Sequence, residues 1–126
     1  MLIAIRSILN IRVFKVSGYS MKPLYMPGFY VLVQPIQCLA KSINRGDIVL
    51  LSSVSLDGKV IIKRVIGLPN ELIQIDNGEL LINHEPLEEP YLSKTSPDRT
   101  SYTGEWMLKS DEYFVLGDNR MSSLDS

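Results

Sequence analysis

Length, composition and charge place this sequence among small globular domains. Its 126 residues suffice for one hydrophobic core, so we expect a single domain over residues 1–126. With 45% hydrophobic and 21% charged residues the chain is not of the disordered class, and a net charge of −1 without Lys/Arg clusters predicts no nucleic-acid partner. A single cysteine, Cys38, excludes an internal disulfide and a cysteine-rich metal site.

The N-terminal stretch has too few consecutive apolar residues to form a membrane-spanning helix. In "MLIAIRSILNIRVFKV" at most five apolar residues precede Arg6, whereas a spanning helix needs about 20. The stretch also lacks the long apolar region and the small-residue cleavage site of a secretory signal peptide. Weak helical periodicity allows a turn or two of helix in residues 2–11 and 36–43.

Strand patterns dominate the rest of the chain. Runs rich in β-branched and aromatic residues read, in chain order, "FYVLVQPI", "RGDIVLLSSV", "GKVIIKRVIGLP" and "EYFVLGDNR". Between the last two, "ELIQIDNGELLINHEPL" alternates around a "DNG" turn and predicts a β-hairpin. Residues 88–110 are polar and predict an exposed loop or a small excursion from the core. We therefore expect an all-β domain with a coiled, barrel-like antiparallel sheet and little helix.

The segment "SGYSMKPLYMPG" places two serines, Ser17 and Ser20, in an unusually apolar turn. A serine hydroxyl is an effective nucleophile only when a neighbouring base removes its proton. His84, the single histidine, lies in "INHEPL", where the pattern favours a plain turn residue, and one histidine with one distant cysteine cannot form a zinc site. Lysine is the next candidate for the base.

Lys63 lies in a strand whose two faces are both apolar. Alternation in "VIIKRVI" puts Lys63 on one face with Ile61 and Val65, and Arg64 on the other. Burial disfavours the charged form of an amine and so allows a lysine to act as a base. Arginine keeps its proton and needs an acidic partner. The alternative is that both side chains extend from an edge strand into water.

The C-terminal "GDNRMSSLDS" concentrates carboxylates and hydroxyls directly after the apolar run "YFVL". This composition is typical of an ordinary turn. At the end of a buried strand it can also provide an acidic partner for Arg64 and a hydroxyl that orients a neutral lysine.

Taken in chain order, "SGYSMKP", "RGDIV", "IIKRVIGLP" and "GDNRMSSLDS" resemble the motifs of the type I signal peptidases. The resemblance extends from about Phe14 to the C-terminus, and the lysine is similar to that of the bacterial and organellar branch. It implies a serine endopeptidase that removes signal peptides from exported preproteins, cutting after small residues as in A-x-A signals. It implies no metal and no cofactor.

The resemblance also implies a catalytic role for two residues. Ser20 of "GYSM" would be the nucleophile, and Lys63 of "IKRVIG" would be its general base in a Ser/Lys dyad. The backbone N–H of Ser20 would donate to the oxyanion of the intermediate. Some family members carry a hydroxyl residue two positions before the nucleophile, but this chain has Gly18, so the second oxyanion donor is not identified.

Four further residues would support the dyad. By resemblance, Ser123 would hydrogen-bond Lys63, and Asp118 and Asp125 would order the site, with Asp118 as a partner for Arg64. The candidates for the walls of the substrate pocket are Ile62 and Met21.

Two departures from the family pattern concern the loop after Ser20 and the chain ends. Leu24 stands where the family usually has threonine, and large apolar residues near it predict contact with a membrane surface or, alternatively, burial in the core. These are Tyr19, Met21, Tyr25, Met26 and Phe29. The family has a membrane-spanning helix before "FKV" and continues beyond "LDS"; we therefore expect a fragment without the N-terminal anchor, truncated at the C-terminus.

The resemblance implies that the catalytic domain lies on the extracytoplasmic side of the cell membrane, or at an organellar inner or thylakoid membrane.

The sequence leaves two other functions open. One is a LexA-like self-cleaving Ser/Lys regulator, although the DNA-binding head and an Ala-Gly cleavage pair are missing. The other is a non-catalytic truncated remnant that binds preproteins or membrane.

Overall fold

The structure, a computed structural model, describes residues 12–34, 43–52, 59–92 and 103–121. Within these ranges the chain forms nine strands and no helix. In chain order the strands are β1 (Arg12–Lys15), β2 (Tyr30–Val33), β3 (Ile48–Ser52), β4 (Val60–Gly67), β5 (Leu72–Asp76), β6 (Glu79–Ile82), β7 (Glu85–Pro86), β8 (Gly104–Met107) and β9 (Phe114–Leu116). The segments predicted to allow helix, 2–11 and 36–43, lie outside the described residues except for residue 43.

The strands form three antiparallel sheets. β1 pairs with β2, β4 lies between β3 and β9, and the third sheet has the order β7-β6-β5-β8. Every pairing between the described strands is antiparallel. The predicted all-β class with antiparallel sheets is therefore confirmed.

β4 is the central strand of its sheet and carries the two cations singled out in the sequence. Lys63 lies opposite Val49 of β3, and Arg64 lies between Ile48 of β3 and Leu116 of β9. Lys63 is 3% exposed and Arg64 is 8% exposed. The alternative of an edge strand with both side chains in water is wrong, because β4 lies between β3 and β9 and both side chains are buried.

The predicted hairpin is present, and its turn consists of two residues in the left-handed backbone conformation. β5 and β6 are joined by Asn77 (φ 48°) and Gly78 (φ 82°), the conformation of a type I′ turn, which matches the twist of the flanking strands. Asn83 (φ 51°) and His84 (φ 70°) make a similar turn between β6 and β7. His84 is thus an exposed turn residue, as predicted.

The core lies between the β4–β9 pair and the β5–β6 hairpin. Its buried members are Ile66, Ile73, Ile75, Leu80, Ile82, Leu108, Phe114 and Leu116. At the end of β4, Gly67 leaves room for this packing, since a Cβ added there would lie 2.5 Å from Ile73 Cδ1. The packing fixes the direction of β4 and hence the position of Lys63 and Arg64.

Part of the polar stretch 88–110 forms a strand that the sequence pattern did not indicate. Residues 104–107 form β8, which pairs with β5 from Leu72 opposite Met107 to Ile75 opposite Gly104. Trp106 packs on Phe114 of the core, with ring centroids 5.0 Å apart. The pattern was missed because apolar and polar residues alternate over only four positions inside a polar segment.

Candidate active site

The loop between β1 and β2, residues 16–29, is closed at its base by backbone hydrogen bonds. The Val16 N–H donates to Phe29 O and the Gly28 N–H donates to Val16 O, both at 2.8 Å. Gly28 has a φ of 93°, which glycine adopts without the steric cost of a side chain. The loop is therefore a closed turn with fixed ends.

Ser20 lies in this loop beside β4. Its Oγ donates a hydrogen bond of 3.4 Å to the backbone carbonyl of Ile62, the residue that precedes Lys63. The next residue, Met21, is 0% exposed and anchors the turn in the protein interior. The fold thus brings the hydroxyl of the predicted nucleophile to the backbone carbonyl of the residue just before the predicted base.

Ser20 and Lys63 both lie on the wall of one cavity of about 540 Å³. The cavity wall is mostly apolar and includes Ile62, one of the two predicted pocket residues. Met21 is not on the wall, so its place is under the Ser20 turn and not in the pocket. The other lining residues are Phe14, Lys15, Val16, Ser17, Gly18, Tyr19, Val31, Leu50, Lys59, Val60 and Ile61.

Arg64 points to the other face of β4 and has a buried acidic partner. Its Nε and Nη2 donate to the two carboxylate oxygens of Asp118 at 2.8 and 2.7 Å, and its Nη1 donates to Gly46 O at 3.0 Å. The Tyr91 ring lies 4.1 Å from the guanidinium carbon, within cation–π distance. Hydrogen bonding to Asp118 raises the pKa of Arg64, although burial acts in the opposite direction.

The turn after β9 contacts the Ser20 loop directly through Asn119. The Asn119 backbone N–H donates to Ser20 O at 2.8 Å. The side-chain Nδ2 donates to Tyr19 O at 3.1 Å. The "GDNR" turn therefore contacts both β4, through Asp118 and Arg64, and the backbone on either side of Ser20.

A second buried ion pair lies beside this turn and was not foreseen from the sequence. Arg120 pairs with Glu89 through both guanidinium Nη atoms, and its Nε donates to Gly117 O at 2.8 Å. Tyr91 OH donates to Glu89 Oε1 at 2.7 Å, and burial followed by the nearby Glu89 charge raises the pKa of Tyr91. No signal in "EEPYL" distinguishes it from an ordinary polar loop, because the pairing spans 31 positions.

Two predicted site residues, Ser123 and Asp125, lie outside the described residues. The structure therefore describes Ser20, Lys63, Arg64, Asp118 and the two pocket candidates. The "SSLDS" stretch, residues 122–126, lies outside the described residues.

The apolar residues near Ser20 divide into exposed and covered groups. Tyr19 (59%), Leu24 (47%) and Phe29 (52%) are exposed. Tyr25 and Met26 are half-buried. Exposed apolar residues continue onto the β1–β2 hairpin with Val13, Tyr30 and Leu32. For Met21 the structure gives the second of the two alternatives, burial, since this side chain is 0% exposed.

None of the described residues forms a helix with the length and apolarity that crossing a membrane requires.

Comparison with known proteins gives the family. The family model described as signal peptidase, peptidase S26, matches residues 1–126. The chain belongs to the signal peptidase I family, a family of serine endopeptidases.

Individual relatives are bacterial. The chain is 40% identical over 124 residues to signal peptidase I V of Bacillus subtilis, which covers 90% of this chain and 73% of that protein. Signal peptidase I U of the same organism is 35% identical, with 90% and 63% covered. The crystal structure of a signal peptidase I from Enterococcus faecalis superimposes with a TM-score of 0.56 at 31% identity, covering 68% of this chain and 85% of that chain. The chain thus spans between about three fifths and three quarters of the two Bacillus relatives.

Proposed function

We propose that this chain cleaves signal peptides from exported preproteins, with Ser20 as the nucleophile and Lys63 as the general base. The observation that supports this most is the shared cavity. Ser20 and Ile62 are 42 positions apart, yet the Ser20 hydroxyl lies 3.4 Å from the carbonyl just before Lys63. A nucleophile and a base on one cavity wall are what acyl transfer requires.

In this mechanism the Ser20 Oγ loses its proton to the Lys63 amine and attacks the carbonyl carbon of the scissile bond. Lys63 is 3% exposed and lies on the same cavity wall as Ser20, which supports its assignment as the base. The oxyanion of the tetrahedral intermediate accepts a hydrogen bond from the Ser20 backbone N–H. Lys63 then gives the proton to the leaving nitrogen, and the signal peptide stays attached to Ser20 as an ester.

The second half of the reaction releases the signal peptide. Lys63 takes a proton from a water molecule, the resulting hydroxide attacks the ester carbon, and the proton returns to Ser20 as the ester bond breaks. In our proposal Ser123 hydrogen-bonds Lys63 through this cycle and Asp125 orders the turn around it. Arg64 and Asp118 hold the β4–β9 pair together on the opposite face.

Substrate selection follows from the apolar cavity. We assign Ile62 to the wall that contacts the side chain just before the cut, because it lines the cavity and its carbonyl faces Ser20. Small residues at the −1 and −3 positions would leave the scissile carbonyl within reach of Ser20.

Our proposal also concerns the location of the reaction. The substrate is an exported preprotein on the extracytoplasmic side of the cell membrane or at an organellar inner or thylakoid membrane. There the exposed side chains of Tyr19, Leu24 and Phe29 contact lipid.

The experiment that tests this function is a preprotein cleavage assay with the full chain. We expect cleavage after the A-x-A site, and loss of at least about a thousandfold in kcat for both Ser20→Ala and Lys63→Met, since a nucleophile and its base act as a unit. The matched controls are Ser110→Ala and Lys109→Met, on an exposed turn outside the site. Full activity of Lys63→Met would overturn the dyad. A wild-type chain that binds the preprotein without cutting it would identify a non-catalytic binder.

A further inference from the structure

Two hydrogen bonds from one residue hold the backbone on both sides of Ser20. Asn119 Nδ2 donates to Tyr19 O at 3.1 Å, and the Asn119 backbone N–H donates to Ser20 O at 2.8 Å. The first acceptor belongs to the peptide unit before Ser20 and the second to the peptide unit after it. One residue, 100 positions from Tyr19 in the sequence, thus restrains both dihedral angles of Ser20.

The first of these peptide units contains the Ser20 N–H. A trans peptide is planar, and its C=O and N–H point in opposite directions. A donor that fixes the direction of Tyr19 C=O therefore fixes the direction of the Ser20 N–H as well. No described residue accepts a hydrogen bond from this N–H, and Ser20 lines the cavity.

Asn119 is itself held on both sides. Asp118, before it, makes the two-fold hydrogen bond to Arg64 of β4, the neighbour of Lys63. Arg120, after it, pairs with the carboxylate of Glu89 and donates to Gly117 O. Both arginines are about nine-tenths buried. A residue between two buried ion pairs has little freedom to move, which makes it a firm attachment for the Ser20 loop.

We propose that Asn119 is the positioning residue of the oxyanion site: its side-chain amide sets the orientation of the Ser20 N–H through the Tyr19 carbonyl. This inference rests on the proposed function of Ser20. Asn119 does not touch the substrate; it acts through the peptide unit it holds. A merely structural role would make Asn119 one more loop-closing residue, whose loss would lower stability and leave the chemical step unchanged.

The first test compares Asn119→Asp and Asn119→Ala with wild type in the preprotein cleavage assay. Both variants keep the backbone N–H bond to Ser20 O, and both remove the Nδ2 donor. We expect kcat to fall about ten- to hundredfold, because small misplacements of a catalytic group cost rates of this order. KM should stay within about twofold, and the urea midpoint should fall by no more than the loss of one hydrogen bond predicts. The matched control is Asn77→Asp, whose amide contacts only Asp76 in an exposed turn among the described residues.

A second measurement, the affinity for a peptide aldehyde, tests the contact between the Ser20 N–H and the oxyanion separately from substrate binding. A peptide aldehyde carrying the A-x-A sequence forms a bond between Ser20 Oγ and its carbonyl carbon; the carbonyl π bond breaks, the oxygen becomes the oxyanion, and the serine proton passes to Lys63. Affinity for this adduct should fall by the same factor as kcat. Affinity for the corresponding uncleavable peptide amide should remain within about twofold.

A third readout does not depend on cleavage. The ¹⁵N order parameter of the Ser20 amide should fall in both Asn119 variants and not in Asn77→Asp. A rigid Ser20 amide in Asn119→Ala, or wild-type kcat in an active enzyme, would overturn the inference. A wild-type chain without cleavage activity would instead overturn the proposed function, and the amide measurement would still decide whether Asn119 orients this peptide unit.

Discussion

Glu71 shows how one carboxylate can join separate parts of the fold. Both of its oxygens accept from the Arg45 guanidinium, at 2.8 and 2.6 Å, and Oε2 also accepts from the Leu68 N–H at 2.7 Å. Arg45 in addition donates to Ile66 O at the end of β4. The Glu71 side chain therefore ties the segment before β3 to the turn between β4 and β5.

This carboxylate gives the fold a defined response to acid. The Arg45 hydrogen bond lowers the pKa of Glu71 below its ordinary value of 4.5, although burial acts in the opposite direction. A lowered folded-state pKa means that the stabilisation is fully present above about pH 4.5 and is lost as pH falls through the lower folded value. We expect Glu71→Gln to reduce the free energy of unfolding by about 1–3 kcal/mol at pH 7. The difference from wild type should shrink below about pH 4.5.

Urea denaturation of both proteins between pH 3 and 7 measures this difference. Glu112→Gln is the control, since its pair with Lys109 is 3.6 Å long and exposed and should contribute little. A difference between wild type and Glu71→Gln that grows in acid would contradict the assignment.

The segment 87–92 contributes to the site at the scale of an element. It contains both Glu89, which pairs with Arg120, and Tyr91, which stacks on Arg64. Through these two contacts the segment after β7 packs on Arg64 of β4 and on Arg120 of the "GDNR" turn. The segment that follows the third sheet thereby supports β4 and the "GDNR" turn, both of which contact the Ser20 loop.

Removing the carboxylate of this segment should be costly. In Glu89→Ala the Arg120 side chain, 3% exposed, would keep its charge in the interior without its partner, and breaking a buried pair in this way costs about 3–5 kcal/mol. We expect that loss in urea denaturation, together with faster hydrogen exchange of residues 87–92. Glu88→Ala, at the exposed neighbouring position, is the matched control. Equal stability of the two variants would show that the ion pair contributes nothing.

At the scale of the whole molecule, we propose that the exposed apolar residues near the cavity contact lipid. Leu24 and Phe29 are 47% and 52% exposed, and a group of large apolar side chains in solvent favours an interface. We expect the full chain to co-sediment with liposomes and Leu24→Asp or Phe29→Asp to reduce the bound fraction several-fold. Met107→Asp, 66% exposed on β8, is the control. Equal binding by all four proteins would contradict the prediction that Leu24 and Phe29 contact lipid.

The sequence predicted those features that depend on local patterns. Alternation placed Lys63 and Arg64 on opposite faces of β4, and the "DNG" and "NH" turns appeared where left-handed residues are tolerated. Features that depend on distant contacts were missed. Nothing near Asn119 or Glu89 indicates that one reaches back 100 positions and the other forward 31. The sequence left Met21 open between exposure and burial, because an apolar side chain in a polar turn is compatible with either.

The attachment of the Ser20 loop to Asn119 has a consequence for biosynthesis. A chain emerging from the ribosome contains Ser20 and Lys63 long before it contains Asn119, and contacts of such large sequence separation form late because their loop-closure entropy is high. Ser20 would therefore lack this backbone restraint until nearly all described residues have been synthesised. If Ser20 is the nucleophile, as we propose, we expect proteolytic activity only when the fold is complete, so that a partly synthesised chain would be inactive as a protease.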